Sequence, residues 1–414
     1  MAKLRPFKAV RPTRDKVQLV ASRPIYTYKP STLAAKMDEN PFTFIHIIHP
    51  EYFEVDETRT APNSTERFQK VKAKYEEFLN EGILIQDSEP TYYVYRQTKG
   101  GHAFLGVIAG ASIEEYEKDL IKKHEATLTL REEMFTNYLD IVGINAEPVL
   151  LSHRKSHRID DILEKITAKR PEYEFTTTDL ITHELWVATK EEMESLREAY
   201  EEIEYLYIAD GHHRSASSVR LAERKRAFNP EAKDRNFESF LSFFIDEERL
   251  QILPFHRLCK SLNGLSSKAF FERLQHSFNI KKLDERKEPQ SMHCIHMYFE
   301  REWFSLEVKK ELLHFEDTVS SIDAEILTRK ILSPILGIHD LKTDENIEFL
   351  SGNYGLEKFE QLIDDGVYKV GFVLYPVTMD QVKAVADENA VMPPKSTWVE
   401  PKLRSGLTIY TIDE

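Results

Sequence analysis

A mixed α+β fold, with hairpin-built sheets carrying helices, is what this sequence predicts, and three observations lead there. Aromatic and β-branched runs are joined by glycine turns. Between them lie segments with apolar residues at helical spacing and capping residues in front. The order of the two kinds is broken by hairpins, so a doubly wound parallel sheet does not fit.

The elements follow in chain order. Phe42-Thr43-Phe44-Ile45-His46-Ile47-Ile48 predicts a strand from its β-branched and aromatic content. From Thr65, residues Phe68, Val71, Tyr75, Phe78 and Leu79 recur at helical spacing, and Gly82 suits the helix end. Tyr92 to Arg96 and His102 to Ala109 read as strands joined at Lys99-Gly100-Gly101, where glycine supplies positive φ. Ser112 with Glu115, and Thr189 with Glu192, have the capping-box spacing that opens a helix. Beyond residue 260 the pattern predicts a helix over 266–275, a hairpin from Met292–Phe299 and Trp303–Val308, helices near 323–333 and 355–364, and a strand from Tyr368 to Leu374. The expected organisation is a first region over 1–260, a second α+β region over 261–375, and a C-terminal segment, 376–414, packing back on the site.

The chain has 414 residues, 41% of them apolar, enough for two or three domains with their own cores. Its 56 Lys+Arg against 70 Asp+Glu leave a net charge of −14, which excludes a broad phosphate-backbone-binding surface and so argues against a nucleic-acid partner. Cys259 and Cys294 cannot form a disulfide framework, and no apolar run reaches the ~18 residues of a membrane helix. The expectation is a cytoplasmic protein that does not bind membranes.

Chemistry concentrates at one place. Tyr205 to Ala209 is an apolar β-type run, Asp210-Gly211-His212-His213-Arg214 follows, and Ser215 to Ala222 is helix-compatible. A strand, tight turn and helix N-terminus in that order bind anions through amide groups and the helix dipole, and Gly211 lets a ligand approach the backbone. Arg214 can grip a phosphate with its planar fork; His212 and His213 can donate or move protons; Asp210 can accept a proton or hold a divalent cation beside a polyphosphate. The purely structural reading is that Asp210 caps the helix and Arg214 pairs with a carboxylate.

Weaker constellations surround this one. In Lys122-Lys123-His124-Glu125-Ala126-Thr127 a zinc-protease motif fails because position 128 is Leu128, although Lys123, His124 and Glu125 suit either a cleft or a solvated helix junction. His153 and His157 have the spacing of a shared helix face; His46 and His49 do not, if 42–48 is a strand. Cys294 and His296 share a strand face and read as a buried Cys beside a surface His, and His256-Arg257 reads as a strand exit. Met392-Pro393-Pro394-Lys395-Ser396-Thr397 and Lys402-Leu403-Arg404-Ser405-Gly406 are basic and hydroxyl-bearing, and the two prolines can set Lys395 and Ser396 rigidly at a second phosphate contact. Walker, Rossmann and G-x-S-x-G signatures are absent.

Ile208 to Arg214 resembles the family catalogued as domain of unknown function 1015. So, in order, do Arg5-Pro6-Phe7, Asn40-Pro41-Phe42, Tyr92-Tyr93-Val94-Tyr95, Lys123-His124-Glu125-Ala126-Thr127, His183-Glu184-Leu185-Trp186, Leu253-Pro254-Phe255-His256-Arg257 and Met392 to Thr397. The turn is similar to the phosphate loop of free serine kinases, which share a fold with ParB partition proteins and sulfiredoxin. The resemblance implies such a core in the N-terminal two-thirds and phosphoryl transfer, as kinase or phosphatase, between a nucleotide (ATP or ADP) or phosphate and serine or O-phosphoserine of serine biosynthesis. Asp210 would hold Mg²⁺ or act as base; His212, His213 and Glu125 would serve catalysis. Gly211, Arg214, Ser215, Lys395, Ser396, Thr397 and His124 would bind phosphate or nucleotide. The chain departs from the family at Ser22-Arg23-Pro24-Ile25-Tyr26-Thr27-Tyr28, where members usually carry Pro-Tyr-Asp-Val. Glu39, Glu51 and Glu125 are the candidate replacement bases. The alternative from another class is a nucleotide- or amino-acid-sensing regulator that binds at the same turn without turnover.

Overall fold

Gly100 and Gly101 take φ of +55° and +84°, and fold the chain back so that Tyr93–Lys99 and His102–Ser112 pair antiparallel from Lys99↔His102 to Tyr93↔Ile108. This hairpin lies inside a nine-stranded sheet in a computed structural model that describes residues 2–228 and 235–414. The chain divides into two compact units, one of Met1–Lys122, Thr127–Leu250 and Pro401–Glu414, the other of Lys123–Ala126 and Gln251–Glu400. The fold is mixed α+β, as the sequence predicts.

In the first unit the sheet order runs Ile121–Lys122, Leu206–Asp210, Val149–His153, Ser239–Asp246, His102–Ser112, Tyr93–Lys99, Thr182–Val187, Tyr173–Thr176, with Leu4–Arg5 paired beside His102–Ser112. Among the described residues of this sheet, only the pairings of Leu206–Asp210 with Ile121–Lys122 and of Ser239–Asp246 with Val149–His153 are parallel. The helix Thr65–Asn80 is capped by the Ser64 side chain, buries Phe68, Val71, Tyr75 and Phe78, and is followed by Gly82 at φ +69°. It packs on Thr129–Val142, which packs on His212–Phe228. Thr189 and Glu192 complete a reciprocal capping box. Ser112 caps its helix too, but the Glu115 carboxylate accepts from the Lys3 amide instead of closing the box.

The second unit is built on a seven-stranded sheet ordered Phe278–Leu283, Glu302–Val308, Cys294–Phe299, Val370–Val373, Gln251–Cys259, Ile347–Ser351, with Thr397–Glu400 paired to the first half of Gln251–Cys259. The expected hairpin and the helices Ser267–Leu274, Asp323–Leu327 and Gly355–Asp364 are present.

Several sequence expectations are corrected here. Residues 42–48 form no strand: Ile45–Ile48 is a single helical turn, with Phe44, Ile45 and Ile47 buried. Their β-branched content marked burial on every side of a turn, not pairing. His46 is consumed by the Met37 carbonyl at 3.0 Å. His153 ends a strand and His157 begins a helix, so they share no helix face. His296 is the buried member of its pair, bonded to the Lys287 carbonyl at 2.8 Å, while Cys294 is half-buried. His256 and Arg257 lie within Gln251–Cys259 rather than at its exit. Pro254 stands where the strand changes partners, from Thr397 to Ser351 one residue on, a place where a missing N–H is tolerated.

His183 is fully buried between the rings of Tyr95 and Phe175 and pushed down to about 3 by burial and by Arg404. An unfolded chain protonates this group near pH ~6.5, so between there and pH 3 the unfolded state binds more protons and stability falls as pH falls. Urea midpoints measured from pH 7 to pH 5 will decline, and a His183→Gln variant will show a shallower decline; an unaltered slope in the variant would count against this assignment.

Candidate functional site

The strand Leu206–Asp210 is apolar and buried because it sits between two neighbours, antiparallel Val149–His153 and parallel Ile121–Lys122. Its register with Val149–His153 shifts between Ile208 and Asp210, a bulge that re-aims the end of the strand. Gly211 follows at φ +102°, a conformation L side chains rarely adopt, and the helix His212–Phe228 begins at once. The helical ladder starts with the Ser215 amide donating to the Gly211 carbonyl at 3.0 Å. The amides ahead of it form the positive end of a helix of 17 residues.

Asp210 sits between two cations. Arg214 Nη2 donates to its carboxylate at 2.9 Å, and Lys402 Nζ lies 3.5 Å away. Burial alone would raise the Asp210 pKa, but Lys402, Arg214 and His212 outweigh it and hold the carboxyl below its usual range. Arg214 is engaged on several sides: Glu147 Oε1 at 3.1 Å, the Glu147 carbonyl at 3.3 Å, and the Pro148 carbonyl. Burial opposes its charge, yet Glu147, Asp210 and the Tyr26 phenol keep it raised. The structural reading of Arg214 thus holds for both terminal nitrogens of its fork, which pair with Glu147 and Asp210. Tyr26 belongs to the segment Ser22-Arg23-Pro24-Ile25-Tyr26-Thr27-Tyr28, so that segment lies beside the turn.

The guanidinium also explains Gly211, since a Cβ there would stand 3.1 Å from Arg214 Cζ. His212 is buried and His213 half-buried. Ser215 turns its hydroxyl to the His212 carbonyl at 3.0 Å, leaving its backbone as the part that belongs to the turn. Lys402 is only 12% exposed, and its carbonyl accepts from Gln97 Nε2 at 3.1 Å, which pins the 401–406 strap. Lys402 and Glu147 are the site residues that sequence reasoning missed. The 402–406 segment had stood out as basic, but nothing local distinguished Lys402 from Lys395.

The other expected contacts belong to the second unit. His124 is buried there and its carbonyl accepts from the Met392 amide at 2.9 Å, so the 123–126 and 392–397 segments meet. Glu125 is exposed. Lys395 holds its ammonium 5.3 Å from the Phe255 ring, Ser396 donates to the Pro393 carbonyl at 2.7 Å, and Thr397 opens the strand Thr397–Glu400. Of the candidate bases, Glu51 is structural: Arg67, Lys70 and Thr60 surround it, and despite burial they lower it to about 2. Among the described residues no group of three or more His, Cys, Asp or Glu could hold a metal. Asp210, flanked by two cations, is a poor fit for a divalent ion.

A cavity of about 470 Å³ opens beside the turn in the first unit, walled by Phe68, Met134, Phe135 and Tyr138, with Arg214 and Glu147 on its lining. Its size and apolar walls are those of small-molecule sites.

A family model described as "Protein of unknown function (DUF1015)" matches residues 4–326. No curated protein matches the chain. Among solved structures it is similar to a free serine kinase in complex with AMP (14% identity, 74% of this chain and 91% of that chain, TM-score 0.36). It is also similar to SbnI with C-terminal truncation from Staphylococcus aureus (12%, 73% and 87%, TM-score 0.37) and to a conserved hypothetical protein from Pyrococcus furiosus (17%, 75% and 96%, TM-score 0.35).

Because Gly211 combines positive φ with a guanidinium against its α-carbon, Gly211→Ala will cost about 1–3 kcal/mol and displace Arg214. Denaturant unfolding measures this, and a variant as stable as the parent would show that the turn carries no such constraint.

Proposed function

The chain belongs to the DUF1015 family, and from that premise we propose that it transfers a phosphoryl group between a nucleotide and a small hydroxy amino acid, serine or O-phosphoserine, in either direction. The observation that carries the reading is the Asp210–Arg214 turn, a strand-to-helix junction with Lys402 and Arg214 beside the helix N-terminus. Negative charge spread over a transferring phosphoryl group is stabilised by such fixed donors and cations. The cavity bordered by Arg214 offers room for the nucleoside. The choice of serine rests on the resemblance of the turn to the loop of free serine kinases.

In the forward direction the acceptor hydroxyl oxygen attacks phosphorus, the bond from phosphorus to the donor oxygen breaks, and the hydroxyl proton must leave. A carboxylate held below its usual range is a weak base, so Asp210 is better suited to orienting Lys402 and Arg214. His212 and His213 are the proton carriers in this reading. Mg²⁺, in this reading, would be carried by the nucleotide's phosphates rather than by a cluster of protein carboxylates.

A second reading, a nucleotide-sensing protein without turnover, is favoured by one observation: Tyr26 and Thr27 occupy the segment where family members usually carry Asp. Incubating the purified chain with serine, Mg²⁺ and ATP or ADP, and with O-phosphoserine and AMP or ADP, separates the two by mass spectrometry. Transfer is expected, and Lys402→Ala or Asp210→Asn will slow it at least about 100-fold. Transfer at the parental rate in both variants would refute the role of the turn. Thermal stabilisation by nucleotide without any transfer would establish the sensor instead.

A further inference from the structure

The strap that brings Lys402 to the turn carries Arg404 two residues on, at most about 7 Å further along the chain. Arg404 is 4% exposed, and its Nη2 reaches Thr177 Oγ1 at 3.0 Å and the Asp179 carboxylate at 3.3 and 3.4 Å. Arg23 shares that carboxylate at 3.2 Å, and the Thr177 hydroxyl donates to it as well. Lys36 approaches the same group, yet among the described residues its ammonium makes no hydrogen bond or ion pair. Two guanidiniums therefore converge on one carboxylate, with the Lys36 ammonium within electrostatic reach of all three charges, in a chain of net charge −14.

Two further observations show that Asp179 does not balance the cluster. Arg404 Nε is buried and has no hydrogen-bond partner, which is costly for a group on a charged side chain. Burial, followed by repulsion from Arg404 and Arg23, pushes Lys36 below the usual lysine range, and the attraction of Asp179 does not restore it. The cluster has a deficit of negative charge where a half-buried ammonium is still reachable from solvent.

We propose that Arg23, Lys36 and Arg404 form an oxyanion subsite, taking a carboxylate or phosphate group of a small ligand whose other anionic group binds at the Asp210–Arg214 turn. The pairing of the two groups rests on the function proposed above; the subsite itself does not. A ligand spanning both carries two anionic ends. O-phosphoserine meets that description, with its phosphate as one anion and its own carboxylate as the other.

Isothermal titration of the full chain with inorganic phosphate, and separately with acetate, tests this. The parent is expected to bind phosphate at two sites. Lys36→Glu will abolish one of them, and Lys36→Met, which removes charge without reversing it, will weaken that site at least about tenfold. Lys402→Ala will spare it and weaken the other. Acetate bound only at the Lys36-dependent site identifies a carboxylate subsite, and phosphate alone identifies a phosphate subsite. Unchanged stoichiometry and affinity in both Lys36 variants, with melting temperatures matching the parent, would overturn the proposal. If the Lys36 variants lose binding while Lys402→Ala loses none, the subsite stands and the turn reading fails.

Discussion

Asp210 between Arg214 and Lys402 is the interaction on which the rest of the site depends. Strand Leu206–Asp210 delivers the carboxylate, the Gly211 backbone turns the chain at φ +102°, and Arg214 four residues on reaches back to close the turn. Lys402 arrives from nearly two hundred residues away and faces the same carboxylate. Removing one member of a partly buried charge cluster leaves its partners uncompensated, so the three residues are coupled energetically as well as spatially. Glu147 extends the coupling by sharing Arg214 with Asp210.

The 401–406 strap gives the first unit its mixed provenance. It enters from the end of the chain, hydrogen-bonds through the Lys402 carbonyl to Gln97, and pairs Ser405 with Ser22. Ser22 begins the segment that also supplies Arg23 and Tyr26. One short stretch of chain therefore positions a cation at the turn, a cation at Asp179, and the segment that carries Arg23 and Tyr26. A helix N-terminus alone binds anions weakly and without selectivity; cations fixed by such a strap add direction and specificity.

Much of this was legible in the sequence where a local rule was sufficient. Gly100-Gly101 announced a hairpin, Thr189 and Glu192 a capping box, and Asp210-Gly211 a strand-to-helix turn, because each depends on neighbours within a few residues. What was hidden depends on distant partners. Residues 42–48 looked like a strand because burial and strand formation favour the same residue types. His256 and Arg257 looked like a strand exit because Pro254 marked a change of partners that only topology shows. Lys402 and Lys395 were equivalent by composition. Only the fold separates them, setting one against Asp210 and the other over Phe255.

The central claim is that the Asp210–Arg214 turn and the Lys402 strap together hold an oxyanion. Hydrogen–deuterium exchange of the full chain with and without inorganic phosphate addresses it directly, read on peptides covering 206–216 and 401–406. The account predicts slowed exchange in both peptides on phosphate addition, because bound phosphate orders the amides at the helix start and the strap facing them. Exchange unchanged in both, at phosphate concentrations that protect some other part of the chain, would contradict it.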